Sequence, residues 1–400
     1  MQALLDALGN PEGGQRFVHV AGTNGKGSTC AMIASVLTEA GYQTGLYTSP
    51  HLIEPTERIQ INGQPVSDRE FAATFDTVHD AAEGLLRENR IDGHPSYFET
   101  VTAMAFLIFR ERCQVGVIEV GLGGRLDATN VIHPELCVIT PVSFDHESFL
   151  GNSLQLIAGE KAGILKPKVP LVLSRQSAPA QAVIERRATE LGVPIIATTD
   201  VYVANVALTP HGCSFEADGV GYACPLPGKH QMENALAAIQ ACRYLEVPTQ
   251  AIQMGLEKTR WPGRLEYLSQ HPDFVLDGAH NPAGAAALAD YIREFCRERP
   301  VWIVYGAMRD KAIEEVTGQI FPLADRLILT APNLPRALRP EAIAEITPHP
   351  NMTVTLSVQE ATAIARTAPD HAIVFFTGSL FVVGEARAAL TAATRTMKNS

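Results

Sequence analysis

The fold is decided by the stretch Phe17-Val18-His19-Val20-Ala21-Gly22-Thr23-Asn24-Gly25-Lys26-Gly27-Ser28-Thr29. A β-prone run leads into a glycine-rich turn, and apolar residues between Ala31 and Leu37 then follow with helical spacing. Strand, glycine-rich turn, lysine, hydroxyl residue and helix form the layout of a phosphate-binding loop, in which backbone N–H groups face phosphate oxygens. Lys26 would reach the β- and γ-phosphates, and Ser28 or Thr29 would contact the metal. The stretch therefore predicts a binding site for a nucleoside triphosphate.

The loop departs from the usual phosphate-loop spelling at one position. Gly27 separates the lysine from Ser28. The alternative is a glycine-rich loop that merely turns the chain. We favour phosphate binding because the strand and the helix both stand where that mechanism needs them.

The composition is typical of a soluble globular protein with two or three domains. Of its 400 residues, 46% are apolar and 19% are charged. The net charge of −11 argues against nucleic acid and anionic membranes as general partners. The 7 cysteines are scattered without a Cys-x-x-Cys pair, which predicts reduced thiols. Because signal peptides and membrane-length apolar runs are absent from the sequence, we expect a cytoplasmic protein.

The first part of the chain alternates predicted strands and helices, which favours an α/β domain with a mostly parallel sheet. The predicted strands are Phe17–Val20, Gln43–Tyr47, Val115–Val120, Leu136–Pro141 and Val169–Ser174. The predicted helices are Met1–Leu8, Asp68–Asn89, Tyr97–Cys113 and Gln231–Leu245. Between about Ile195 and Cys224, short β-prone pieces separated by turn residues predict a small antiparallel element.

A second α/β domain is predicted after the segment Thr259–Arg264, where proline and glycine interrupt any helix. The predicted strands are Phe274–Leu276, Trp302–Tyr305, Arg326–Thr330 and Ile373–Phe376, with a helix at Ala283–Arg297. We therefore predict an ATP-binding domain over residues 1–260 and a second domain over residues 265–400. Since ligands of open α/β sheets bind at the carboxyl ends of strands, the two domains predict a cleft between them.

Polar residues follow several of the predicted strands. Glu119 ends one of them and is either a Mg²⁺ ligand or a structural hydrogen-bonding residue. His146, next to Asp145, is either a metal or phosphate contact or a structural histidine. Ser49 would supply a further hydroxyl. The spacing of Gly121 and Gly123 does not indicate a dinucleotide site, because Leu126 occupies the place of the third glycine.

Two further segments carry candidate groups. The pair Glu160-Lys161, judged from its residues alone, is typical of a solvated helix end. The segment from Asp277 to Pro282 places His280 and Asn281 on a strand-to-helix turn, with proline at the first helical position. Asn281 also fits an N-cap, and a cap is compatible with a functional site.

Taken together, these motifs resemble the folylpolyglutamate synthase family, including its bacterial bifunctional form that is also a dihydrofolate synthase, within the Mur ligase superfamily. The resemblance runs over nearly the whole chain. It rests on residues 18–28 (VHVAGTNGKGS), 48–52 (TSPHL), 119–130 (EVGLGGRLDATN), 145–146 (DH), 160–164 (EKAGI), 230–235 (HQMENA), 261–264 (WPGR), 276–282 (LDGAHNP) and 377–385 (TGSLFVVGE).

The resemblance implies an N-terminal ATPase domain with a small β element and a C-terminal Rossmann-like domain, with ATP in the cleft. It implies catalytic roles for Lys26, His146, Lys161, Asp277 and His280, and ATP binding by Gly22, Thr23, Asn24, Gly25, Lys26, Gly27, Ser28, Asn234 and Arg264. It implies one Mg²⁺ on Ser49 and Glu119, a second on His146, a carbamate on Lys161, and folate-side contacts from Phe98, Asp127, Ala128 and His280. Family members carry a few dozen residues before the position of Met1, so we expect a start placed too far downstream or a trimmed first helix.

The activity implied by the resemblance is ATP-dependent addition of L-glutamate to folates, and also to dihydropteroate, through an acyl phosphate in a monomeric enzyme. The nearest alternative is a cell-wall Mur ligase. The motifs at 160–164 and 276–282, and the lack of a UDP-binding domain before residue 17, argue against it. A different class of protein, a phosphate-loop ATPase or switch, would hydrolyse ATP without glutamate.

Overall fold

Three β-sheets organise the protein, and helices cover the two larger ones. The coordinates are a computed structural model that describes residues 1–309 and 311–398, with side chains up to Ala392. The helices in these residues are α1 (Gln2–Ala7), α2 (Lys26–Glu39), α3 (Asp68–Arg87), α4 (Tyr97–Arg112), α5 (Glu147–Leu150), α6 (Leu154–Lys161), α7 (Ala178–Leu191), α8 (Lys229–Tyr244), α9 (Thr249–Lys258), α10 (Pro282–Phe295), α11 (Ile313–Ile320), α12 (Pro340–Ile346), α13 (Val358–Ala365) and α14 (Leu380–Lys398). The strands are β1 (Arg16–Ala21), β2 (Thr44–Tyr47), β3 (Ile59–Ile61), β4 (Gln64–Pro65), β5 (Val115–Glu119), β6 (Leu136–Ile139), β7 (Leu171–Leu173), β8 (Ile195–Ala197), β9 (Val203–Thr209), β10 (Gly212–Ala217), β11 (Val220–Cys224), β12 (Glu266–Ser269), β13 (Asp273–Leu276), β14 (Val301–Tyr305), β15 (Arg326–Leu329), β16 (Met352–Val354) and β17 (Ile373–Thr377).

The first sheet has the order β4-β3-β2-β5-β1-β6-β7-β8. Its strands are parallel except for β3 and β4 at one edge, so the predicted mostly parallel sheet is confirmed. Strand β1 lies between β5 and β6, with Val20 opposite Glu119 on one side and Val138 on the other. Because these strands run in the same direction, the loops that follow β1, β5 and β6 meet at one edge of the sheet.

Successive side chains of β1 belong to two different cores, one on each face of this sheet, and helices cover both. Val18 and Val20 belong to a core shared with α2, α8 and α9, whereas Phe17 belongs to the core under α3 and α4. Successive side chains of a strand point to opposite faces, so a strand buried on both faces is apolar throughout. Helices α3 and α4 begin at serine N-caps, because Ser67 and Ser96 accept hydrogen bonds from the backbone N–H groups of Glu70 and Glu99.

The second sheet is a small antiparallel one with the order β11-β10-β9. The prediction of such an element is confirmed, but its start at Ile195 was wrong. Strand β8, which contains Ile195, pairs in parallel with β7 at the edge of the first sheet, and the antiparallel element begins at Val203. The reason is helix α7, which was not predicted from the sequence. It makes β8 the second strand of a βαβ unit, and such a unit favours parallel pairing.

The third sheet has the order β12-β13-β17-β14-β15-β16. It is parallel apart from the edge strand β12, which pairs antiparallel with β13. Strand β12 begins at Glu266, directly after the predicted linker, and we propose that the two domains divide there. No helix in the described part of the chain is long and apolar enough to cross a membrane. All 7 cysteines lie in that part and are free thiols.

Candidate active site

A cavity of about 320 Å³ lies at the carboxyl ends of strands from both large sheets. The predicted site residues that line it are Gly22, Thr23, Asn24, Gly25, Lys26, Gly27, Ser28, Ser49, Glu119, His146, Lys161, Asn234, Arg264, Asp277 and His280. The fold therefore gathers residues that are far apart in sequence into one concave site, as expected of a ligand pocket.

The phosphate loop is held by close contacts that require glycine. Gly25 caps the N-terminus of α2 with a φ of 86°, and the side-chain amide of Asn234 occupies the place where a Cβ would lie. A Cβ on Gly27 would lie 3.0 Å from Cζ2 of Trp261. The glycine that departs from the usual loop spelling thus makes room for an indole from the segment between the two domains. Of the two predicted hydroxyl groups, Ser28 lines the cavity, and Thr29 is fully buried in α2.

Glu119 and Ser49 form an oxygen-rich pair beside this loop. The carboxylate of Glu119 is 4% exposed and accepts a hydrogen bond from the backbone N–H of Ser49 at 3.0 Å. Burial raises the pKa of Glu119, while the positive charges of Lys26 and Arg264 act against that rise. Carboxylate and hydroxyl oxygens are the ligands that Mg²⁺ prefers, so this donor set fits the ion.

Asp145 connects the two halves of the site. Its carboxylate accepts hydrogen bonds from Nζ of Lys311 at 2.6 Å, from Nδ2 of Asn281 at 3.1 Å, and contacts Nε2 of His280 at 3.2 Å. Although burial disfavours the carboxylate, the hydrogen bond and charge of His280, together with the charges of Lys311 and His146, hold the pKa of Asp145 well below its usual range. The phosphate-loop side and the C-terminal side are therefore joined by a charged hydrogen-bond network.

Asn281 and Asn24 extend this network onto the phosphate loop. Nδ2 of Asn281 donates to Oδ1 of Asn24 at 3.0 Å. The same Asn281 side chain accepts from the backbone N–H of Gly284 at 2.9 Å and caps α10, which confirms the predicted N-cap. The cap and the contact between domains coexist in one residue.

Asp277 holds the turn that follows β13. Its two carboxylate oxygens accept from the backbone N–H groups of Ala279 at 3.0 Å and Leu265 at 3.1 Å. Burial raises the pKa of Asp277, and the guanidinium of Arg264 opposes the rise. Arg264 is itself buried, which lowers its pKa, while the charges of Asp277 and Glu119 act in the other direction. Arg264 thus brings a positive charge close to both carboxylates.

Lys161 is buried rather than solvated, so the interpretation of Glu160-Lys161 as a solvated helix end is wrong for the lysine. Its side chain is 4% exposed, and Nζ donates to the backbone oxygen of Gly22 at 2.8 Å. Glu160 pairs with Arg125 at 3.1 Å. Burial, with the charge of Lys26, lowers the pKa of Lys161 to about 7. A substantial share of the amine is therefore neutral near neutral pH.

Both parts of the chain match known families. Residues 20–242 match the Mur ligase middle domain, and residues 263–380 match the Mur ligase glutamate ligase domain. A dihydrofolate synthase/folylpolyglutamate synthase of Bacillus subtilis is 36% identical over 402 residues, covering 97% of this chain and 93% of that protein. The chain belongs to the folylpolyglutamate synthase family of Mur ligases. This Mur ligase is accordingly an ATP-dependent carboxylate–amine ligase.

Solved structures of similar proteins share its fold. Mycobacterium tuberculosis folylpolyglutamate synthase complexed with ADP and AMPPCP superimposes with a TM-score of 0.90 at 31% identity, covering 97% of this chain and 94% of that one. E. coli FolC in complex with DHPP and ADP gives a TM-score of 0.86 at 30% identity, covering 98% and 93%. The fold class predicted from the sequence is confirmed for this Mur ligase.

Three of the predicted folate-side residues lie apart from the main cavity of this Mur ligase, whereas His280 lines it. Among the described residues, Phe98, Asp127 and Ala128 are not part of its lining. Phe98 packs against Gly121, which does line the cavity. The carboxylate of Asp127 accepts from the N–H of Leu122 at 2.9 Å and from the hydroxyl of Thr129 at 2.6 Å, so it holds its own loop together.

Lys311 and Trp261 were not predicted as individual site residues of this Mur ligase. Lys311 follows β14, just as the predicted site residues follow their strands, and this position was the available signal. Trp261 lies in the interdomain segment, whose proline and glycine predicted a linker but not a side-chain contact with the phosphate loop. Its contact with Gly27 arises from tertiary packing, and sequence periodicity carries no signal for it.

Proposed function

We propose that this Mur ligase adds L-glutamate to the carboxylate of a folate, using ATP and an acyl phosphate intermediate. The observation that carries the proposal is a single cavity in which the phosphate loop, the Glu119–Ser49 pair and the turn from Asp277 to His280 face one another. The names of the relatives, folylpolyglutamate synthase and dihydrofolate synthase, support the choice of substrate.

Activation of the acceptor follows from the chemistry of carboxylates. A carboxylate is a poor electrophile, so one of its oxygens first attacks the γ-phosphorus of ATP, and the bond from that phosphorus to ADP breaks. Lys26, whose Nζ lies 3.1 Å from the backbone oxygen of Thr23, is placed to stabilise the charge that develops on the phosphate oxygens. The glutamate amine then attacks the acyl carbon, the carbon–oxygen bond breaks, and inorganic phosphate leaves with that oxygen.

Ser49 and Glu119 would hold one Mg²⁺, and His146 would contact a second. When bound, the ions supply positive charge against the phosphate oxygens. Lys161 would be carbamylated, because a buried ammonium next to Lys26 is unfavourable and a carbamate reverses its charge. Asn234 and Arg264 would contact the nucleotide.

The incoming glutamate would lie on the C-terminal side of the cleft. A second cavity, of about 560 Å³, adjoins Asp145 and His146 and is lined by Arg309, Lys311 and Glu315 among others. Its cations suit the two carboxylates of glutamate, and its acidic groups suit the amine. His280 lines the first cavity and contacts Asp145, which lines both cavities, and it would lie close to the transferred phosphoryl group.

We propose two acceptors and a monomeric enzyme. Phe98, Asp127 and Ala128 would contact a pterin, whose ring stacks on an aromatic side chain and whose N–H groups need an acceptor. Since the same residues match the bifunctional form of the family, dihydropteroate and a reduced folate are both expected to be glutamylated.

The test is ADP release measured with dihydropteroate or tetrahydrofolate, each with and without L-glutamate. We expect release with both acceptors only when glutamate is present. Release that is independent of glutamate would support an ATPase or switch instead. If tetrahydrofolate alone supports release, the activity is that of a folylpolyglutamate synthase only.

A further inference from the structure

A cluster of nitrogen and oxygen ligands lies outside the nucleotide cleft, on helix α3 and the connection that follows it. Its members are His79 and Glu83, four residues apart on one helix face, and His94. Nε2 of His94 lies 3.0 Å from Oε1 of Glu83, and Nε2 of His79 lies 3.9 Å from the same oxygen. One ligand atom from each residue lies within 4.8 Å of the other two.

We propose that His79, Glu83 and His94 bind a divalent transition-metal ion of the Zn²⁺ class. Two imidazoles and a carboxylate are ligands that such ions favour, whereas Mg²⁺ favours predominantly oxygen ligands, such as those at Glu119. Three protein ligands leave a fourth position for water. The site would thus select a different metal from the one used in the nucleotide cleft.

The arrangement of the two rings is compatible with a shared ion after a small rotation. The imidazole planes of His79 and His94 lie within 6° of parallel, with centroids 5.5 Å apart. Parallel rings do not both point at one ion, so at least one ring has to turn about its Cβ–Cγ bond. The side chains are 46% and 50% exposed, which leaves room for that turn. The alternative is a purely protein contact, in which Phe75, His79 and His94 stack and Glu83 accepts from His94.

The ion would fix the connection between α3 and α4. His94 stands two residues before Ser96, which caps α4 by accepting from the N–H of Glu99 at 3.3 Å. Helix α4 carries Phe98 in its first turn, and Phe98 packs against Gly121 at the edge of the cleft. Binding of the ion would therefore restrain the segment that leads to this side of the site without contributing a group to it.

The experiment uses the full chain after treatment with a chelator and dialysis into saturating Mg²⁺. Zn²⁺ is then titrated calorimetrically into wild type, His94→Ala, Glu83→Gln and, as a matched control, His133→Ala, which removes an exposed histidine outside the cluster. We expect wild type and His133→Ala to bind one more equivalent of Zn²⁺ than His94→Ala. We expect Glu83→Gln to bind that equivalent at least roughly tenfold more weakly.

Thermal unfolding supplies a second readout. Added Zn²⁺ should raise the melting temperature of wild type and His133→Ala but not that of His94→Ala, because a ligand that binds only the folded chain stabilises it. Equal stoichiometry and affinity in all four proteins, or no binding of Zn²⁺ by wild type, would overturn the proposal and leave a stacked, hydrogen-bonded surface contact.

Discussion

The negative charge that we propose beside the phosphate loop, as a carbamate on Lys161, can be tested. Carbamylation requires the neutral amine, and burial with the charge of Lys26 lowers the pKa of this lysine to about 7. The neutral fraction is then about one tenth at pH 6, about one half at pH 7 and about nine tenths at pH 8. At a fixed concentration of dissolved CO₂, the initial rate of carbamylation depends on the neutral amine and should therefore rise roughly ninefold between pH 6 and pH 8.

The measurement is ¹³C NMR of the enzyme with ADP and Mg²⁺ under ¹³CO₂. Wild type should give a carbamate signal that Lys161→Ala lacks, and the initial rate at which this signal grows after ¹³CO₂ is added should follow the pH dependence above. Lys168 is a control for other lysines, because its substitution by alanine should leave this signal unchanged.

The turnover of Lys161 variants tests the same negative charge independently. Lys161→Ala should lose turnover that acetate or propionate partly restores, since a small carboxylate can occupy the vacated space as an anion. Lys161→Arg should be inactive and not rescued, because it keeps a positive charge and fills that space. An active Lys161→Arg enzyme, or the absence of any carbamate signal that depends on Lys161, would refute the reasoning.

Three further predictions follow from other contacts. Lys26→Ala should lower kcat more than tenfold, about 1.4 kcal/mol in activation free energy, in a steady-state assay, and a smaller loss would contradict its assigned role. Asp145→Asn should lower the free energy of unfolding by about 1.5–3 kcal/mol in urea titrations, because it removes a charge that Lys311 and His280 contact, whereas the exposed control Asp290→Asn should not. Burial, with a smaller effect of Lys166, lowers the pKa of His19 to about 3 in the folded protein. The unfolded chain binds a proton on this histidine below about pH 6.5, so the free energy of unfolding falls as the pH drops from about 6.5 toward 3. His19→Gln should therefore flatten the decline of unfolding free energy across that range, and an unchanged slope would contradict this assignment.

Local patterns were enough to predict the parallel sheet and much of the site. The run from Phe17 to Thr29 combines a strand buried on both faces with turn glycines and a helix, and these signals agree. The parallel order of β5, β1 and β6 then brings Glu119, the phosphate loop and Asp145 to one edge. Positions directly after apolar strands therefore indicated residues that line the cavity.

What the sequence could not provide are contacts between distant segments. The contact of Trp261 with Gly27 and the salt bridge from Lys311 to Asp145 depend on how the two domains dock. Strand β8 was assigned to the wrong sheet because its three residues carry too little pattern to choose a partner. The burial of Lys161 likewise depends on tertiary packing. The charged pair Glu160-Lys161 gives no sign of it, because such pairs are typical of solvated helix ends.

The most direct test of a ligase that works through an acyl phosphate is oxygen transfer. The acceptor folate is prepared with ¹⁸O in the carboxylate that receives glutamate, and the inorganic phosphate released during turnover is analysed by mass spectrometry. An acyl phosphate intermediate requires one ¹⁸O atom in the phosphate for each glutamate added, because the carboxylate oxygen leaves with phosphorus. Phosphate without ¹⁸O, formed while glutamylated product accumulates, would contradict the mechanism.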